Sequence, residues 1–129
     1  PIFRGGGRIF GPRPRDYDFK LNKKVKRLAR KSALTYKAKD NNIIVLEDFI
    51  FDSPRTKHYL NILNRLDATD NKTLLILPES NNNVYLSARN IKKAKVVRAS
   101  DLCTYDIMNA NKLLILEGSV KIIEKNINI

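Results

Sequence analysis

Two runs decide the architecture of this chain: Leu74-Leu75-Ile76-Leu77-Pro78 and Leu113-Leu114-Ile115-Leu116-Glu117. Both are continuously apolar. A strand with one face in water alternates apolar and polar residues, so an unbroken run needs cover on both faces, as in a parallel sheet. Ile43-Ile44-Val45-Leu46-Glu47 and Lys95-Val96-Val97-Arg98 read the same way. Helical stretches separate these runs: one over 54–66, a shorter one over 83–89, one over 104–109, and a last one after Gly118. Strands alternating with helices predict an open, mostly parallel α/β sheet with flanking helices. Ser53-Pro54 suits an N-cap followed by a first helical position. Thr56, Leu60, Leu63 and Leu66 supply that helix with its apolar stripe. Ser119 is the expected cap of the last helix, with Val120, Ile123 and Ile127 facing inward.

Upstream of the first strand, residues 21–39 read as an amphipathic helix. Leu21, Val25, Leu28, Ser32 and Tyr36 recur at helical spacing, with Ala29 beside them, and predict the buried stripe. Lys23, Lys26, Arg27, Arg30 and Lys37 then fall on the opposite side, flanked by Lys24 and Lys31. Asp40-Asn41-Asn42 ends the pattern. Residues 1–20 read as an extended arm. Pro12 and Pro14 discourage helix at Gly11 and Arg13. Ile2, Phe3, Ile9, Phe10, Tyr17 and Phe19 alternate with arginines at no fixed period, so the arm cannot build its own core.

Charge divides the 129 residues in the same place. Residues 1–39 carry 13 Lys or Arg against Asp16 and Asp18, a net of +11. The remaining residues are nearly neutral at +1. Such one-sidedness points to a polyanionic partner, nucleic acid first. Arginines pair bidentately with phosphate. Glycine lets two backbones approach closely, and Phe3, Phe10 or Tyr17 can stack on unpaired bases. The seven cations on the helix face, unrelieved by an acid, favour a phosphate-facing surface.

Other chemistries find less support. The glycine-rich start has no strand before it and no Gly-Lys-Ser/Thr after it, which excludes the usual phosphate loops. Acids do stand at strand ends: Glu47, Asp48, Glu79 and Glu117. A nucleic-acid-processing α/β enzyme using Glu47, Asp48 and Glu79 is therefore one alternative, and a regulatory messenger-RNA binder is another. These strand-end acids include no Asp-x-Asp pair and spread over several loops, so no catalytic residue, metal ligand or cofactor is assigned. His58, the only histidine, reads as a solvated surface residue, and Cys103 as a small packing residue. A lone cysteine forms no disulfide framework or zinc cluster and fits a reduced, intracellular compartment. No apolar run approaches the ~18–20 residues of a membrane span, so no membrane partner is expected.

The motifs together resemble one family. Arg4-Gly5-Gly6-Gly7 is followed by Phe10-Gly11-Pro12-Arg13-Pro14-Arg15-Asp16-Tyr17, then Leu21-Asn22-Lys23-Lys24-Val25 and Ser32-Ala33-Leu34. Further along stand Pro54-Arg55-Thr56-Lys57, Leu77-Pro78-Glu79, Leu86-Ser87-Ala88-Arg89-Asn90, Tyr105-Asp106-Ile107 and Asn109-Ala110. In this order the chain resembles, along its whole length, the bacterial-type large-subunit ribosomal protein L-four family.

The resemblance implies an α/β domain at the subunit surface and a long loop running through ribosomal RNA toward the peptide exit tunnel. Arg4, Arg8, Arg13 and Arg15 would meet phosphates, and Gly5, Gly6, Gly7 and Gly11 would allow close approach. Tyr17 and Lys20 would continue that limb, and Lys23, Lys24, Lys26, Arg27, Arg30 and Lys31 would lie on RNA beside the domain. Lys57 and Arg89 complete the implied RNA-binding set. The implied partners are 23S-type ribosomal RNA and neighbouring large-subunit proteins, with no small-molecule substrate and no homo-oligomer. The implied location is the cytoplasmic ribosome, bacterial or organellar. Residues 1–20 correspond to the returning limb of the loop. Family strands, a helix and the outgoing limb would precede it, so the 21–129 body is expected to lack N-terminal strands.

Overall fold

A computed structural model of the chain describes Gly5 and residues 10–128. Five helices and four strands follow in order. They are α1 (Lys23–Lys39), β1 (Ile43–Leu46), α2 (Thr56–Arg65), β2 (Thr73–Leu77), α3 (Asn82–Ala88), β3 (Ala94–Arg98), α4 (Thr104–Asn109), β4 (Lys112–Leu116) and α5 (Glu117–Asn128). A 3-10 turn, Ala99–Asp101, links β3 to α4. The strands form one all-parallel sheet in the order β1-β4-β2-β3, as the apolar runs require.

The two central strands are the two runs first quoted. β2 is buried at every position, and β4 from Leu113 onward. Because side chains alternate along a strand, each central strand feeds two cores. Leu74, Ile76, Leu113 and Ile115 pack with Ala33, Ile107 and Ile123 beneath α1, α4 and α5. Leu75, Leu77, Leu114 and Leu116 pack with Tyr59, Leu63, Val84 and Ala88 beneath α2 and α3. Burial of apolar area stabilises by ~25 cal/mol per Å², and these eight strand residues are all below 8 % exposure. The edge strands are only partly covered, and Val45 of β1 is exposed.

Local expectations needed several corrections. The expected buried stripe of α1 points outward: Val25, Leu28 and Tyr36 are 52 %, 69 % and 58 % exposed, whereas Ala33 is 3 % exposed. Leu21 and Ser32 are also exposed. The helix seats through Ala33 and Leu34 against the core shared with α4 and α5, because a small residue permits closer approach than a leucine row. In α2 the buried pair is Tyr59 and Leu63, and Leu60 is exposed.

Ser53-Pro54 does not start α2. The N-cap position falls to Arg55, without a side-chain cap, while Asn83 Nδ2 donates to the Phe51 and Asp52 carbonyls at 2.7 and 3.3 Å and Asp52 and Ser53 form a bend. Ser119 does not cap α5 either. The helix begins at Glu117, and the buried Ser119 hydroxyl donates to the Ile76 carbonyl at 3.0 Å, tying α5 to β2. Cys103 is exposed at the N-cap position of α4 rather than packed.

Candidate nucleic-acid interface

Residues 11–20 have no regular secondary structure, and all but Gly11 are exposed. Proline at 12 and 14 removes two backbone donors and fixes φ, which disfavours helix through Gly11–Arg13. Arg13, Arg15, Tyr17 and Lys20 all face solvent, and the Arg15 guanidinium lies 4.6 Å from the Tyr17 ring centroid. That stacking holds one cation beside an aromatic face, a pairing also used on bases. Gly5 has φ +92°, which side chains rarely adopt, with open space where a Cβ would stand. Arg4, Gly6, Gly7 and Arg8 lie outside the described residues.

The cations of α1 divide. Lys23, Lys24, Lys26 and Lys31 are exposed, whereas Arg27, Arg30 and Lys37 are half-buried on the side of Ala33 and Leu34. The Arg30 Nε is buried without a hydrogen-bond partner among the described residues. Arginine tolerates this position because its stem packs as an apolar chain while other guanidinium nitrogens stay wet. Lys57, in the first turn of α2, and Arg89, at the C-cap of α3, are exposed. Both belong to the α2–α3 side of the sheet, across from α1. The expected set therefore makes two surfaces rather than one.

The carboxyl edge of an open parallel sheet is where α/β enzymes bind ligands. Here a hollow of about 390 Å³ lies between the ends of β1, β2 and β4, rimmed by Asp48, Phe49, Pro78, Glu79 and Gly118. Asp48 Oδ1 accepts the Gly118 N–H at 3.3 Å, so this carboxylate ties the β1 loop to the start of α5. A Cβ on Gly118 would stand 2.9 Å from Asp48 Oδ2 and 3.4 Å from Pro78, so a larger residue there would displace the Asp48 carboxylate. Glu47, Glu79 and Glu117 are exposed. No group of three His, Cys, Asp or Glu side chains converges as a metal site among the described residues. An acid-rimmed hollow repels a polyanion. His58 is exposed, with its ring edge-on to Phe51 at 6.0 Å.

The opposite, amino edge of the sheet is basic, and sequence reasoning missed it. Lys72 immediately precedes β2, Lys92-Lys93 precede β3, and Lys112 opens β4. Register aligns them: Thr73 pairs with Ala94 and with Lys112. Lys72, Lys92, Lys93 and Lys95 line a hollow of about 350 Å³ with Asp106 and Asn109. Lys95 Nζ meets the buried Asp106 carboxylate at 2.6 Å, and that hydrogen bond holds the lysine above its ordinary pKa. A readable signal was present: lysine stands directly ahead of, or at the start of, three of the four apolar runs.

Comparison with known proteins finds one family. Residues 1–126 match the Ribosomal protein L4/L1 family. The chain is 58 % identical over 128 residues to a large ribosomal subunit protein uL4 of Flavobacterium johnsoniae, covering 99 % of this chain and 61 % of that protein. The proteins of the same description from Parabacteroides distasonis and Amoebophilus asiaticus are 58 % and 55 % identical, covering 98 % and 99 % of this chain and 60 % and 61 % of theirs. The chain thus spans about three fifths of the length of the curated relatives it matches. No helix among the described residues is long and apolar enough to cross a membrane.

Proposed function

Because the chain belongs to the Ribosomal protein L4/L1 family, we propose that it is a structural constituent of the large ribosomal subunit that binds ribosomal RNA and performs no catalysis of its own. The observation that carries this reading is the net +11 of residues 1–39 beside a body of net +1. Where described, most of those cations are exposed. Exposed lysine and arginine displace condensed counterions from an RNA backbone, and the released ions drive association. Arg13 and Arg15 contact phosphates along the arm, Gly5–Gly7 and Gly11 let it pass between RNA strands, and Tyr17 stacks beside Arg15. Lys23, Lys24, Lys26 and Lys31 continue the track along α1, with Arg27 and Arg30 at its inner margin.

On this reading, residues 1–20 form the arm, part of a loop directed toward the peptide exit tunnel, and 21–129 form the anchoring domain. The partners are 23S-type ribosomal RNA and adjacent large-subunit proteins, in the cytoplasm of a bacterium. Relatives from several bacteria support that setting.

The test is the salt dependence of binding to a large-subunit ribosomal RNA transcript, followed by fluorescence anisotropy. Six to ten phosphate contacts predict a slope of log affinity against log salt between roughly −4 and −9, at about −0.7 to −0.9 per contact. A slope near zero overturns the proposal, as does failure of the chain to co-sediment with large subunits at low salt.

A further inference from the structure

We infer that the amino edge of the sheet is a second phosphate-contacting surface, distinct from the arm and α1, formed by Lys72, Lys92 and Lys93. This rests on the RNA reading above and names an additional place where RNA meets the body. The hollow they line carries four lysines (Lys72, Lys92, Lys93 and Lys95) against one carboxylate, Asp106. The bland account is that such lysines serve the fold, and for two of them it suffices. Lys112 Nζ donates to the Leu66 and Asp67 carbonyls at 3.5 and 3.0 Å, closing the end of α2. Lys95 is the partner of Asp106.

The other three are not so explained. Lys72 Nζ donates to the Asn109 side-chain oxygen at 3.3 Å, and Lys93 Nζ to the Asp70 main-chain carbonyl at 2.8 Å. Both acceptors are neutral, so each ammonium is held in place while its charge stays uncompensated. The ion pairs among the described residues are Lys95–Asp106 and Arg98–Asp101, and neither involves these three lysines. Lys92 lines the same hollow with its side chain exposed.

Strand spacing places the β2 and β3 lysines on backbones about 4.8 Å apart, a row of point charges suited to a phosphate track rather than to a planar carboxylate. The row is also remote from the arm. Lys39 ends α1 beside this edge, and Lys23 begins it 16 residues earlier, about 24 Å away at 1.5 Å per residue. RNA bound here meets the opposite end of α1 from RNA bound to the arm.

The deciding variant is K72Q/K92Q/K93Q in the full chain, with Lys95 and Lys112 untouched. Its salt slope on the large-subunit transcript is expected to be shallower than the parent's by about 2 to 3, at about 0.7–0.9 per contact, with an unchanged thermal melt. Amine-reactive labelling of the parent should show Lys72, Lys92 and Lys93 protected by the transcript. A steep parent slope that the triple variant leaves unaltered overturns the second surface and spares the first. A parent slope near zero overturns both. Protection in intact large subunits but not with transcript alone also overturns it, since a neighbouring protein then covers the edge.

Discussion

Tyr59 shows how one side chain sets a property of the whole fold. Its ring fills the core beneath α2, and its hydroxyl is buried with no hydrogen-bond partner among the described residues. Burial pushes the phenol up to about 12. The sign follows from linkage: the unfolded chain releases this proton near pH 10, the folded chain near 12. The stabilisation is complete below pH 10 and is lost as pH rises toward 12, by an amount on the order of 2–3 kcal/mol. Tyr59→Phe should therefore lose less stability than the parent between pH 10 and 12 in urea titrations. At pH 7 it should match the parent within about 1 kcal/mol, since an unpartnered hydroxyl costs more than it contributes. Equal alkaline losses in the two proteins would contradict this account. Residue roles of this kind were only partly readable beforehand. His58 was read as solvated and is exposed, whereas Ser119 was read as a cap and bonds β2 instead. A hydroxyl near a helix start has the same local signature in both roles, and only the approach of Ile76 separates them.

At the scale of elements, α1 is the instructive case. Its periodicity is genuine, yet the larger apolar residues face water and Ala33 faces the core. Helical spacing identifies which residues share a face but not which face a neighbour covers. Substituting the small contact residue should matter most. Ala33→Leu is expected to cost roughly 1–3 kcal/mol by overpacking against α4 and α5. Leu28→Ser should change stability by less than about 0.5 kcal/mol, as exposed positions do. Guanidinium unfolding of the two variants checks this, and a reversed ranking would restore the stripe to the interior. The strands needed a smaller correction. Their four runs predicted four parallel strands, with end shifts of one residue or so, but only β2 and β4 are buried between two layers, and the edge strands are partly covered, with Val45 exposed.

For the whole molecule, net charge concealed as much as it revealed. The body is nearly neutral at +1, yet parallel strands bring Asp48 and Glu79 to the carboxyl edge and Lys72, Lys92, Lys93 and Lys95 to the amino edge. The arm stands apart from that arrangement. Removing residues 1–20 should leave the melting temperature within a few degrees, because residues 12–20 are exposed and contribute nothing to either core. The same truncation removes Arg4, Arg8, Arg13, Arg15 and Lys20, so the salt slope should fall by about 3.5 to 4.5 at 0.7–0.9 per contact. A large drop in melting temperature would mean that the arm helps hold the body together, and an unchanged slope would move the RNA contacts to the body.

Taken by itself, the amino-acid sequence settled the α/β class, the parallel sheet, the segregation of charge and the family. Each of these depends on composition along the chain: unbroken apolar runs, a one-sided count of cations, and motifs in a fixed order. Strand order β1-β4-β2-β3, the outward row of α1, and the separation of Lys57 and Arg89 from α1 came only with the folded chain. So did the lysine edge. These features arise between residues far apart in sequence, such as Lys72, Lys93 and Lys112, which parallel pairing brings to one edge. Local propensity and periodicity carry no information about that pairing, because it is set by which faces the packed layers leave open.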